Sequence, residues 1–208
     1  MRVVKDALER KNEILDVAEE LFVTKGYDKT STNDILERVD IARGTLYYHF
    51  KSKEDILNAI IERINLSLIA KAKAIAKDTS ISIPDRIVMT IAGLNVDTEI
   101  GHEIIDEVHK PQNALMHQKM QNDLVGKIVP ILTGLVIEGN EQKIFNVKYP
   151  KETVEMLILY SCIVFDDDYD DIKENKDKRI EAFLHNMECL FGAEKGSLQK
   201  VMIKLFRR

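Results

Sequence analysis

The chain has 208 residues, 45% of them hydrophobic and 31% charged, with a net charge of −5. That length supports one large domain or two small ones with a true core, and the composition excludes a disordered or low-complexity chain. No basic segment leading into an apolar run opens it, and the longest apolar run, Met156–Phe165, is too short to cross a bilayer, so a soluble cytoplasmic protein is expected.

Leu8, Ile14, Leu15, Ala18, Leu21 and Phe22 form a helical stripe that ends at Gly26. Ser31 and Thr32 then precede Asp34-Ile35-Leu36, a hydroxyl cap with an acidic first turn, and open a short helix burying Ile35, Leu36 and Val39. Asp40 stands where the chain must turn. A second short helix follows from Ile41, with Leu46 and Phe50 four apart on its inner face. Arg43, Thr45, Tyr48 and His49 are left pointing outward, flanked by Tyr47, while Gly44 permits close backbone approach. Two short helices with a tight turn between them, the second presenting Arg, Thr, Tyr and His, match a helix-turn-helix that places its second helix in the DNA major groove.

Ser52-Lys53-Glu54-Asp55 has the form of a capping box and starts a helix expected to reach about Lys77, with Ile56, Leu57, Ile60, Ile61 and Ile64 inside. Helix starts near Thr32 and Lys53 would each offer free amides and a positive dipole end to a DNA phosphate. The charge distribution agrees. Asp6 to Glu20 holds six acids against Arg10 and Lys11, whereas Thr24 to Lys53 holds six bases against four acids. Only the groove-facing part needs to be positive, and overall acidity weakens nonspecific binding.

Lys25-Gly26-Tyr27, Thr32, Ile35 and the run Arg43 to Glu54 resemble the DNA-binding domain of the tetracycline-repressor-like (TetR) regulators. The resemblance implies that Thr32 and Lys53 bind phosphates and that Arg43, Gly44, Thr45, Tyr47, Tyr48 and His49 face the groove or its walls. Two residues depart from the family pattern. Asp40 replaces a turn glycine, and Ala42 replaces the Ser or Thr that usually caps the reading helix, at a cost of about 0.5 to 2 kcal/mol.

Beyond Ser82 the pattern stays helical, with Pro84 in a first turn, breaks at Gly101 and Pro111, a long helix to Gly139 bent at Pro130, and a further helix from Pro150. Ile144 to Val147 reads as a connector. Leu132 to Phe145 with Tyr149 to Glu152 is similar to the C-terminal half of many family members, except that Lys143 replaces a glycine. The helix Pro150 to Phe165 is apolar on most sides and must be covered on most sides. With the helix carrying Ile180, Phe183, Leu184, Met187, Leu190 and Phe191 it would form a homodimer interface through 150–165 and 173–192, as the resemblance implies. An interior helix of a monomer is the alternative.

Expectations for an effector are less specific. His102, Asp106 and His109 share a helical face with His117 beyond, and suit a polar pocket wall better than a metal site, because no cysteine or further close ligand completes a set. Met89, Met116 and Met120 would supply pliable apolar lining, although methionines at helical spacing are usually core. Asp166 to Asp171 lacks the spacing and glycine of a calcium loop. Cys162 and Cys189 read as buried reduced thiols. No phosphate-cradling glycine loop, nucleophile elbow, zinc-protease motif or C-x-x-C appears, so neither an enzyme nor a cofactor is expected.

The expected fold is all-α, with an N-terminal three-helix helix-turn-helix domain (1–51) joined by a long helix to a C-terminal helical effector-binding and dimerisation domain (52–208). The expected function is a ligand-responsive transcriptional regulator, acting as a repressor on a palindromic operator in double-stranded DNA and released by a small-molecule effector. The alternatives are a DNA-binding accessory protein without an effector and a helical protein-interaction module.

Overall fold

A computed structural model describes residues 6–94, 104, 106–164 and 172–200. Among the described residues the structure is helical, without strands, as expected. In chain order the helices are α1 (Ala7–Lys25), α2 (Thr32–Val39), α3 (Arg43–His49), α4 (Lys53–Lys77), α5 (Ile83–Ala92), a 3-10 turn (Pro111–Asn113), α6 (Ala114–Glu141), α7 (Pro150–Val164) and α8 (Ile172–Phe191).

The chain divides into two compact units, one of residues 1–66 and 96–120, the other of 67–95 and 121–208. This differs from a division after Lys51 in two ways. The first half of α4 belongs to the first unit, and so does a segment that leaves the second unit and comes back. Ile56, Leu57, Ile60 and Ile61 of α4 pack with Ile14, Phe22, Ile35 and Leu46, and the distant Ile104 and Val108 complete the same core. Three short helices bury too little apolar surface by themselves, so this small domain gains both elements.

Helix ends in the first unit are set locally. Gly26 closes α1 at φ +86°, a conformation that glycine adopts without penalty. Ser31 caps α2, accepting from the Asp34 amide while the Asp34 carboxylate accepts from the Ser31 amide. At α4 Ser52 likewise accepts from the Asp55 amide, but the Asp55 carboxylate accepts from the amide of Lys51, one residue before the cap, at 3.0 Å. Salt bridges tie the helices together: Lys25 to Asp34 at 2.7 Å, Arg38 to Glu20 at 2.8 Å, and Arg63 to Asp16 and Glu19.

In the second unit Ile69 and Ala72 of α4, Ile87 and Val88 of α5, Leu132 and Val136 of α6, Val154 of α7 and Leu184 of α8 share one core. The stretch Pro111–Glu141 is long and apolar enough, by length and composition, to cross a membrane. Its Ile128, Val129, Leu132, Leu135 and Val136 are committed to this core instead. Buried Glu188 accepts from the amides of Gly196, Leu198 and Gln199 and so anchors the chain after α8. The thiols are less buried than expected, Cys162 being half-buried and Cys189 exposed beside His185.

Candidate nucleic-acid interface

The α2–α3 connection places the reading surface. Asp40 adopts φ 54°, ψ 54°, the left-handed turn for which an Asp is among the less costly non-glycine choices. Ile41 and Ala42 lie in the turn, so α3 starts two residues later than expected, at Arg43. Ala42 is the N-cap and supplies no side-chain hydrogen bond. Leu46 is 1% exposed and Phe50 5%, which fixes the inner face of α3.

Opposite them Arg43, Gly44, Tyr47 and Tyr48 are exposed, with Thr45 and His49 half-buried at the margins. Tyr48, at 78% exposed, stands away from the protein, its ring edge-on to His49 with centroids 5.0 Å apart. Tyr47 is held differently. Hydrogen bonds from Arg43 and then Thr32 keep its phenol below the usual tyrosine range, and the Arg43 guanidinium carbon lies 5.5 Å from the ring centroid. The His49 imidazole is held below its usual value by partial burial, then by the positive charges of Lys11 and Arg10. Those two α1 residues are a contribution the sequence reading did not assign to this surface; their separation from His49 along the chain hides it.

Lys53, the expected phosphate ligand at the start of α4, is engaged within the protein. Its ammonium donates to the Tyr27 carbonyl oxygen at 2.7 Å and lies 4.1 Å from the centre of the Tyr27 ring. Exposed Lys51, two residues earlier in the α3–α4 turn, is better presented to solvent.

The expected effector residues do not converge. Met116 and Met120 pack against the core of the first unit, because the segment carrying them belongs to that unit. His109 lies in the same segment, its ring 4.6 Å from that of His117. Met89 is 39% exposed, and His102 lies outside the described residues. Among the described residues no group of three or more ligating side chains could hold a metal ion. An apolar cavity of about 40 Å³ does exist in the second unit, walled by Ile87 and Ile91 of α5, Leu132 and Val136 of α6, and residues of α7 and α8 that include Ser161 and Met187. None of the four described ones, Met89, His109, Met116 and Met120, lines it. Its walls are ordinary core positions at helical spacing, so nothing in the sequence distinguishes them from solid core.

Residues 14–60 match the family described as bacterial regulatory proteins, tetR family, and residues 96–185 match the tetracyclin repressor-like C-terminal domain, between them more than half of the chain. The chain is 45% identical over 51 residues to the HTH-type transcriptional regulator QacR of Staphylococcus aureus, covering 24% of this chain and 27% of that protein. It is 28% identical over 135 residues to the fatty acid metabolism regulator protein of Bacillus subtilis, covering 61% of this chain and 66% of that protein. The match thus spans less than two thirds of either relative. Among solved structures, a transcriptional regulator from Cytophaga hutchinsonii superposes with a TM-score of 0.63 at 21% identity, covering 91% of this chain and 96% of that one. RolR in complex with resorcinol superposes with a TM-score of 0.63 at 14% identity, covering 94% of each chain. At these identities the structures establish the fold alone. With the helix-turn-helix geometry and both matched regions in place, the chain belongs to the tetracycline-repressor (TetR) family of bacterial regulatory proteins.

Proposed function

We propose that this protein is a ligand-responsive DNA-binding transcriptional regulator, a repressor that binds a palindromic operator as a homodimer and is released by a small-molecule effector. The observation that carries this reading is the outer face of α3. A seven-residue helix that buries Leu46 and exposes Tyr48 to 78% has no core role for that aromatic ring. Together with Arg43 and Tyr47 it forms a surface of donors and flat apolar groups suited to base edges and phosphates in the major groove. Thr32 and the α4 start set the register on the backbone, with Lys51 supplying charge and Lys53 holding the α4 start against Tyr27.

Dimerisation is supported by α7. Val154, Leu157, Ile158 and Val164 are buried, yet Met156, Leu159 and Ile163 remain about half or more exposed along the other side, beside exposed Tyr160 and, on α8, Leu190. Such an apolar stripe at helical spacing suits a second copy of the same helices in a two-fold interface. The cavity walled by α5 to α8 is the candidate effector site, which at about 40 Å³ must widen to admit an organic ligand, and RolR with resorcinol is an example of this fold holding a small ligand. Its apolar walls favour an uncharged ligand, because a charge there would be desolvated without a partner. The reading assigns no enzymatic step, and it places the protein in the cytoplasm without a membrane partner.

Selection of bound fragments from a random DNA pool, followed by band shifts on the selected sequence, tests it. A palindrome bound by two protomers is expected. Recovery of no sequence, or of one unrepeated half-site bound by one protomer, would contradict it.

A further inference from the structure

The first unit holds a cavity of its own, of about 210 Å³. The end of α1, the loop that follows it, Ile104 and part of the stretch 106–110 wall it. At about 30 Å³ per water it has room for about seven waters, or for one organic molecule of amino-acid size. Buried Phe22 and Ile104 give it an apolar base. Some of the charges around that base are already matched. The Lys110 ammonium donates to Asp28 at 2.9 Å and to Glu107 at 2.5 Å, and Lys25 is paired with Asp34 at 2.7 Å.

Three polar groups of the wall are unmatched. Among the described residues Lys29 and Asp106, both exposed at the rim, have no ion-pair partner. The Tyr27 hydroxyl is buried and has no hydrogen-bond partner either. Burial, then the negative charges of Glu54, Glu107 and Asp28, raise its pKa above the usual tyrosine range, so it stays a donor. Buried donors in folded proteins are nearly always met, and one left unmet at the wall of a cavity points to an acceptor held inside. A simple anion would gain Lys29 and Tyr27 but face the carboxylates of Asp28, Asp106 and Glu107. A simple cation would gain Asp106 but face Lys25, Lys29 and Lys110, and would offer Tyr27 no acceptor. A wholly apolar molecule would desolvate all three groups without pairing any.

We propose that this cavity is a second small-molecule site, one that binds an α-amino acid with an aliphatic side chain. The ligand carboxylate accepts from the Tyr27 hydroxyl and from Lys29, its ammonium donates to Asp106, and its side chain lies on Phe22 and Ile104. The site is separate from the effector cavity of the second unit and takes a different class of ligand. Equilibrium dialysis of radiolabelled L-leucine against the full chain tests it. Isoamylamine and isocaproate, which keep the leucine side chain with only one of the two charges, serve as competitors.

Saturable binding of one leucine per chain is expected, with a Kd of about 1 mM or tighter, and each competitor should bind at least about tenfold more weakly. Tyr27→Phe, Lys29→Gln and Asp106→Asn should each weaken leucine binding by about tenfold, the loss of one hydrogen bond to a charged group. The unfolding midpoint of the unliganded protein should hold in all three, because none of these side-chain groups has a partner to lose, and phenylalanine keeps the ring that Lys53 meets. If Tyr27→Phe does not fold, the two exposed positions carry the comparison. Three results overturn the proposal. One is no saturable binding by about 10 mM. Another is a single-charge analogue that displaces leucine as well as leucine itself does. The last is binding unchanged in every variant, which places the leucine elsewhere in the chain.

Discussion

The Lys53 ammonium donates to the Tyr27 carbonyl oxygen at 2.7 Å, joining the start of α4 to the loop between α1 and α2. One basic residue next to the DNA-binding surface is thus already engaged inside the protein, and its neighbour Lys51 is exposed. Lys53→Ala is expected to lower the unfolding midpoint, by a loss of about 1.5 to 3 kcal/mol for a hydrogen bond from a charged donor, and to weaken DNA binding as a consequence. Lys51→Ala should leave the midpoint in place and reduce the salt slope of operator binding by about one. Thermal melts beside band shifts at several salt concentrations separate the two; identical behaviour would refute the distinction.

Tyr48→Ala removes a side chain that packs on little, so stability should change by no more than about 0.5 kcal/mol. Specific operator binding should fall by about 1 to 3 kcal/mol, the range for a lost base contact. Tyr47→Phe tests a different role. It keeps the ring beside Arg43 but removes the exposed hydroxyl, and should weaken binding by the loss of one donor to the groove. Wild-type affinity in both variants would remove α3 from the interface.

Ala42→Ser restores the missing hydroxyl at the start of α3. Stabilisation of about 0.5 to 2 kcal/mol is expected, read from denaturant midpoints at unchanged slope. A neutral or destabilising result would mean that the α2–α3 turn cannot present the side chain to the α3 amides.

Lys143 holds φ 59° directly after α6, where the amides of Ile144 and Phe145 close the helix on the Gly139 carbonyl. Lys143→Gly should stabilise the protein by about 1 kcal/mol, because the β-carbon penalty of the left-handed region disappears. Gly139→Ala should do the reverse, at about 1 to 3 kcal/mol, since a methyl there runs into the Phe145 ring. Chemical denaturation of the pair checks both signs.

His49 gives the pH dependence. Its folded-state value lies below the usual 6.5, so near and just below that pH the unfolded chain binds more protons than the folded one. Its contribution to stability is present above about 6.5 and is lost as the pH falls towards its folded value. A DNA phosphate beside α3 favours the imidazolium, so the His49 ring should titrate at higher pH in the operator complex than in free protein. Carbon-bound proton shifts of the ring followed by NMR across both titrations decide this, and an unchanged midpoint would place His49 away from the phosphates.

What the sequence by itself determined was local. The Ser31–Asp34 box, the Ser52 cap on the Asp55 amide, the Asp40 turn, the absent cap at Ala42 and the inner pair Leu46 and Phe50 depend on residues within four positions of one another, and each is present. The long-range partners were decided by tertiary structure. Hydrophobic burial is non-directional, so Ile104, Val108, Met116 and Met120 carry the same helical signal whichever core they join. They join the DNA-binding unit, which displaces the expected effector lining and leaves the cavity to core residues of α5 to α8. Lys53 and Arg86 show the same division for charge. Their identities are legible in the chain, but their partners, Tyr27 and the pair Ala76 and Glu138, are chosen by which distant backbone and carboxylate the packed helices bring within hydrogen-bonding reach.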